Sequence, residues 1–218
     1  MTTQAAYHNP GAPSDNTGTH TAIVQSRPDF AAIAAWIPQG ASVLDLGCGD
    51  GSLLEYLKSE RQVRGYGVEI DNQGILHCIE RGVNVIQSNL EDGLSGFESG
   101  AFDFVILSQT LQATRHTEAL VKEMLRVGRE AIVSFPNFGY WKARLQVLRG
   151  NMPVSSELPY QWYDTPNVHL CTLHDFEALC ASHAIQVLGR HVITHGRDVS
   201  FMPNLLGSMA VYRFKRAD

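Results

Sequence analysis

No stretch of this chain comes near the roughly 20 consecutive apolar residues that a helix needs to cross a bilayer, although 44% of its 218 residues are hydrophobic. A membrane protein is not expected. The first residues lack a basic run leading into an apolar one, so no secretory signal is expected either. Cysteine is scarce, and Cys48, Cys78, Cys171 and Cys180 form no C-x-x-C pair. Free thiols in the cytoplasm are the default for such a set. Basic charge is short as well: 17 Lys and Arg stand against 22 Asp and Glu, a net of −5. Neutralising a nucleic acid requires a clustered cationic surface. The densest basic runs, Lys142 to Arg149 and Arg213 to Arg216, read as solvated faces of elements. Neither nucleic acid nor membrane is an expected partner.

What is present is an alternation. Residues 1–26, rich in Thr, Gly, Pro, Asn and Ser, are expected to form a disordered arm. A single domain is expected over 27–218, since a core of this size need not split. Pro28 suits a first helical turn, and Phe30, Ile33, Ala34 and Ile37 share a face before Pro38 and Gly40. Strands are predicted at SVLDL, GYGVEI, NVIQS, FDFVILS and EAIVSF. Between them, helices are predicted with Leu53, Leu54 and Leu57, then Ile75, Cys78 and Ile79, then Leu120, Val121, Met124 and Leu125 facing inward. Asp71 is a candidate N-cap, and Thr172 with Asp175 has the spacing of a capping box. Apolar strands alternating with amphipathic helices predict an α/β, doubly wound, mainly parallel sheet. IQVLGRHVI and MAVYRFKR, with no helix pattern between them, predict an antiparallel edge. Residues 136–171 are rich in aromatics and proline and show no clear period.

The sharpest local feature is VLDLGCGDG. Gly47, Gly49 and Gly51 stand at a predicted strand-to-helix turn, where glycine permits unusual backbone angles and lets a ligand approach the amides. Glu69 lies at the tip of the next strand, where an acid can accept both hydroxyls of a ribose. A dinucleotide turn wants G-x-G-x-x-G, but the sixth position here is Ser52 and the third glycine comes one residue early. Asp45, two residues before the first glycine, would repel a pyrophosphate and would suit an ammonium group. Both facts count against a nicotinamide-dependent oxidoreductase and for S-adenosylmethionine (SAM).

VLDLGCGDG with the later VEI resembles motif I and the ribose acid of class I SAM-dependent methyltransferases. That resemblance implies a cofactor site from Asp45, Gly47, Cys48, Gly49, Gly51, Glu69 and Ile70. At the end of the third strand, where the family commonly has Asp facing the adenine, this chain has Asn89 followed by Leu90; Asp92 is a second candidate. The end of the fourth strand nominates Ser108 and Gln109 as the floor under the methionine part, though polar residues simply finishing a strand read equally well. The likeness extends further. FDFVILSQTLQAT, EMLRVGREAIVSFPNFGYWKARLQVLRGNMPV and above all WYDTPNVHLCT resemble the MetW family of methionine-biosynthesis proteins over roughly residues 27 to 217. This resemblance implies a cytoplasmic bacterial setting and a partnership with homoserine O-acyltransferase.

No catalytic base is assignable. His116, Tyr140, Tyr160, Tyr163, Asp164 and His169 are candidates by position, and His116 reads more simply as a helix-start or surface residue. His169, Cys171 and His174 match no standard zinc spacing, so no metal is expected. The aromatic group Tyr140, Trp141, Tyr160, Trp162 and Tyr163 fits a packed lid, an acceptor pocket or a docking patch. Two functions stand: a SAM-binding (or S-adenosylhomocysteine-binding) accessory of the acyltransferase, or a SAM-dependent methyltransferase acting on a small molecule.

Overall fold

The computed structural model describes residues 27–217, so the predicted arm over 1–26 lies outside the described residues. Its first elements follow the predicted alternation: α1 (Pro28–Trp36), β1 (Ser42–Leu46), α2 (Ser52–Arg61), β2 (Arg64–Glu69), α3 (Asn72–Glu80) and β3 (Val85–Gln87). Then come β4 (Phe102–Ser108), α4 (Thr117–Val127), β5 (Gly128–Pro136) and α5 (Trp141–Leu148). The tail holds α6 (Leu173–Ser182), β6 (Ile185–Thr194), the two-residue β7 (Arg197–Asp198), α7 (Pro203–Leu206) and β8 (Met209–Arg216).

All eight strands join one sheet in the order β3-β2-β1-β4-β5-β8-β6-β7. β1 pairs in parallel with both β2 and β4, so the chain winds one way through β2 and β3 and the other way through β4 and β5. The reversal between β1 and β4 opens a crevice beyond their carboxyl ends, where ligands of such sheets bind. The predicted antiparallel region is present: β8 pairs antiparallel with β5 and with β6. β8 inserts between its two partners, leaving β6 and β7 at the rim.

Two apolar layers clamp the sheet. On one face, α1, α2 and Cys78 of α3 pack around Val43, Phe104, Ile106, Ile132 and Val211. On the other, α4 and α6 pack around Leu44, Val105, Leu107, Val133 and Tyr212. Phe135, Phe176 and Tyr212 form an aromatic knot there, with ring centroids 4.7 to 5.8 Å apart. Burying each such side chain contributes about 1.5–3 kcal/mol.

Local signals match the caps. Asp71 accepts from the Gly74 N–H, and Thr172 with Asp175 closes the capping box in both directions. Gly128 ends α4 by passing directly into extended backbone. One expectation fails. Ile79 was predicted to face inward and is 62% exposed, because α3 covers the thin β2–β3 edge and buries fully only Cys78. The aperiodic 136–171 stretch contains α5, whose sole buried residue, Ala143, leaves too weak a stripe to read from sequence.

Candidate functional site

The turn after β1 is built from backbone. Gly47, Gly49 and Gly51 all have positive φ, at 65°, 55° and 77°, a region that costs other residues roughly 1–2 kcal/mol. Each glycine meets different surroundings. A Cβ on Gly47 would sit 2.8 Å from Thr110 Cγ2, and one on Gly51 would sit 2.9 Å from Cys78 Sγ. A Cβ on Gly49 would meet nothing within 4 Å. The outer two glycines thus let β4's exit and α3 pack against the turn, while Gly49 faces open space that a ligand can occupy.

Glu69 is held by this turn. Its Oε2 accepts from the Gly49 N–H at 2.8 Å, and its Oε1 accepts from the Ile70 and Asp71 N–H groups at 2.8 and 2.9 Å. Three of roughly four acceptor positions on the carboxylate are therefore in use. Ile70 beside it is exposed. The Cys48 thiol is buried 3.7 Å from Cys78 Sγ, which itself reaches the Gly49 carbonyl at 3.3 Å. Burial pushes both thiols above their ordinary range.

Asp45 is the anomaly of the site. It is 1% exposed, and its Oδ1 has no hydrogen-bond partner among the described residues. Burial pushes its pKa up to about 8; the Arg27 guanidinium opposes that shift, while Asp29 and Glu69 add to it. A buried carboxylate oxygen left unpaired costs on the order of 1–3 kcal/mol, more when charged, and a ligand cation would remove that cost.

Across the crevice, Asn89 caps a short 3-10 turn, Leu90–Asp92, by accepting from the Glu91 N–H at 3.1 Å. The amide oxygen retains a second lone pair for an adenine amino group. Leu90 beside it is half-buried. Ser108 and Gln109 end β4. Gln109 has φ 51°, unusual for a residue with a side chain, and its N–H donates to the Ser134 carbonyl and hydroxyl. Ser108 Oγ donates to Asp29 Oδ2 at 2.7 Å and accepts from Arg27 Nη2 at 2.6 Å. Asp29 is fully buried and also accepts from Ser134 Oγ at 3.0 Å. Sequence reading missed Asp29 and Arg27. An acid in a first helical turn resembles an ordinary dipole partner, and its two serines lie 79 and 105 residues away.

The candidate bases do not gather here. His116 and His169 share a shallow hollow of about 620 Å³ with Arg115 and Lys122, on the flank of α4, and no residue of the glycine turn lines it. His169 Nε2 lies 3.2 Å from the Arg115 carbonyl, and His174 Nδ1 lies 3.3 Å from Asn204 Nδ2. Tyr160, Tyr163 and Asp164 are exposed, whereas Tyr140 is buried. The aromatic segment is pinned by its backbone: the Val168 and His169 N–H groups both donate to the Gln112 carbonyl, at 2.8 and 3.0 Å. It presents Trp162 and Tyr163, each 71% exposed, in edge contact with centroids 5.7 Å apart. The hollow beneath Tyr160 and Trp162 holds about 50 Å³, well under the roughly 300 Å³ of a small-molecule pocket.

Comparison with solved structures defines the class. A Thermotoga maritima protein described as a SAM-dependent methyltransferase, possible histamine N-methyltransferase, matches with TM-score 0.64 at 17% identity, covering 92% of this chain and 95% of that one. The magnesium protoporphyrin IX methyltransferase of Synechocystis PCC 6803, with bound S-adenosylhomocysteine, gives 0.62 at 16%, covering 95% of this chain and 90% of its own. The fold is that of the class I SAM-dependent methyltransferases. The family can be stated more narrowly. The family model described as "Methionine biosynthesis protein MetW" matches residues 27–214. A Rhodopirellula baltica relative, "Bifunctional methionine biosynthesis protein MetXA/MetW", is 40% identical over 92% of this chain. The chain belongs to the MetW family. It spans about a third of that relative's length, 35%.

Proposed function

We propose that the chain is a SAM-binding accessory protein of methionine biosynthesis that supports or regulates a homoserine O-acyltransferase in the cytoplasm. SAM is made from the product of that route, so its occupancy reports on the route's output. The cofactor reading rests on one juxtaposition: Gly49 open to the crevice beside a buried Asp45 oxygen that has no partner among the described residues. Asp45, Gly47, Cys48, Gly49 and Gly51 would line the amino-acid side, Glu69 and Ile70 the ribose, Asn89 and Leu90 the adenine, and Ser108 with Gln109 the floor.

The partner reading draws support from the bifunctional relative, in which a MetW region is joined to MetXA in one chain. It also fits the aromatic segment, whose rings face solvent over a hollow too small for a methyl acceptor. Trp and Tyr in that setting suit a protein interface. One observation favours methyl transfer to a small molecule instead: Tyr140, four residues past the end of β5 and just ahead of α5, is a buried hydroxyl-bearing residue among the candidate bases.

The test is the homoserine acylation rate of the cognate acyltransferase, with and without this protein and with and without SAM. A rate that rises on adding the protein carries the accessory reading, and a SAM dependence makes the turn a sensor. An unchanged rate with SAM bound puts the methyltransferase reading first.

A further inference from the structure

The pairing of β2 fails at Gly65. The Arg64 N–H donates to the Ala41 carbonyl on the β1 side, so the next residue turns its N–H and C=O toward β3. Two steps on, the Gly67 N–H finds the Asn84 carbonyl at 2.8 Å. Opposite Gly65 the chain has already turned away, because the Gly82 and Val83 N–H groups bond back to the Ile79 and Cys78 carbonyls. The Gly65 N–H is thus without a partner among the described residues, whereas most backbone donors in a folded chain are paired. β2 and residues 82–84 splay apart there, and a cavity of about 360 Å³ occupies the split. That volume is in the range of small-molecule sites.

The lining is one-sided in charge. Lys58 comes from the last turn of α2 and Arg64 from the start of β2, and no carboxylate lines the cavity. Neither the Lys58 ammonium nor the Arg64 guanidinium has a hydrogen-bond or ion-pair partner among the described residues. Asp103, which feels the Arg64 charge, is engaged instead by Ser42 and Arg129. Leu54, Val63 and Val83 supply an apolar wall, and the Tyr66 ring beside it is 46% exposed. We propose that this cavity is a second ligand site, for a small phosphate monoester with an apolar or planar body. The Arg64 fork, the Lys58 ammonium and the Gly65 N–H take the phosphate, and the body lies against Leu54, Val63 and Tyr66. A phosphate monoester carries nearly two negative charges at neutral pH and so matches both cations; a carboxylate would leave one of them unmatched. The site is separate from the glycine turn, since Arg64 and Glu69 stand at opposite ends of β2, about 16 Å apart at the usual rise of a strand.

The test is an amide NMR titration of the full chain with phenyl phosphate, alongside inorganic phosphate and phenol. Phenyl phosphate is expected to shift the Gly65 N–H saturably, to bind at least tenfold more tightly than either fragment, and to leave the Gly49 N–H unmoved. Lys58→Gln and Arg64→Gln alter exposed side chains, so both are expected to fold as the wild type does. Each is expected to weaken phenyl phosphate at least fivefold, and Arg64→Lys to restore only part of the loss, because an ammonium cannot reproduce the fork. No saturable shift at Gly65 would overturn the site, and so would wild-type affinity in both glutamine variants. Inorganic phosphate or phenol binding as tightly as phenyl phosphate would overturn the monoester assignment. A shift centred on Gly49 would overturn the placement.

Discussion

The turn after β1 and the segment after β5 sit at the same end of the sheet and present themselves in opposite ways. The turn is made of backbone: three positive-φ glycines, a carboxylate held by three amide N–H groups, and an open face at Gly49. The segment is pinned by its backbone to Gln112 and carries its character in side chains, with Trp162 and Tyr163 turned to solvent. A backbone cradle suits a small ligand common to many proteins, because its geometry tolerates few sequences. An exposed aromatic strap suits a partner particular to one family, because its chemistry is free to vary. On the proposed reading, the cofactor belongs to the first region and the acyltransferase to the second.

Substitutions can break that division. The largest effect is expected at Gly49: Gly49→Val should weaken SAM binding by two orders of magnitude or more in calorimetry, since its side chain enters the open face. The fold should lose about 1–2 kcal/mol from the positive φ, a melting shift of a few degrees. Gly51→Ala is the contrast within the same turn. Its Cβ meets Cys78 Sγ and not the crevice, so thermal melting should fall further while residual SAM affinity is better kept. Next comes Glu69→Ala, expected to cost SAM binding tenfold or more, both through the ribose and through slackening of the Gly49 N–H. Unchanged affinity in both Gly49→Val and Glu69→Ala would sink the cofactor assignment.

The strap should respond in the other channel. Trp162→Ala with Tyr163→Ala is expected to leave SAM affinity and melting temperature nearly unaltered and to lower the acyltransferase effect several-fold. Pull-down of the acyltransferase at wild-type level would remove the docking role. The smallest effect sharpens the turn's side of the comparison. With burial holding the Asp45 pKa near 8 in the folded chain, the native state binds a proton that the unfolded state has released above about pH 4. Unliganded stability is therefore expected to fall as pH rises through that window, with the loss complete above pH 8, and Asp45→Asn should flatten the melting-temperature profile. SAM affinity should rise over the same range, because an ammonium ligand must displace that proton. A pH-independent affinity below pH 8 would count against Asp45 as its partner.

Much of the first region was legible in sequence. Its elements follow apolar periods, and the glycines, Asp45 and Glu69 declare themselves through backbone demands that few other residues meet. The capping box at Thr172 was legible for the same local reason. Arg27 and Asp29 were not, because an Arg-Pro-Asp start to a helix is ordinary until Ser108 and Ser134 are brought beneath it. Nor was the exposure of Ile79, which depends on how little sheet α3 has to cover.

Periodicity and backbone conformational preference act over a few residues, so the sequence by itself determined the alternation of strands and helices, the glycine turn, its acids and the caps. Pairing across the sheet joins residues up to 83 positions apart, Ala131 with Phe214. Tertiary structure alone decided that β8 enters between β5 and β6, that Asp29 is buried under two strand-end hydroxyls, and that Arg27 is held by Asp29 and Ser108. Those are outcomes of long-range packing, in which a side chain's role is set by neighbours that its local sequence does not contain.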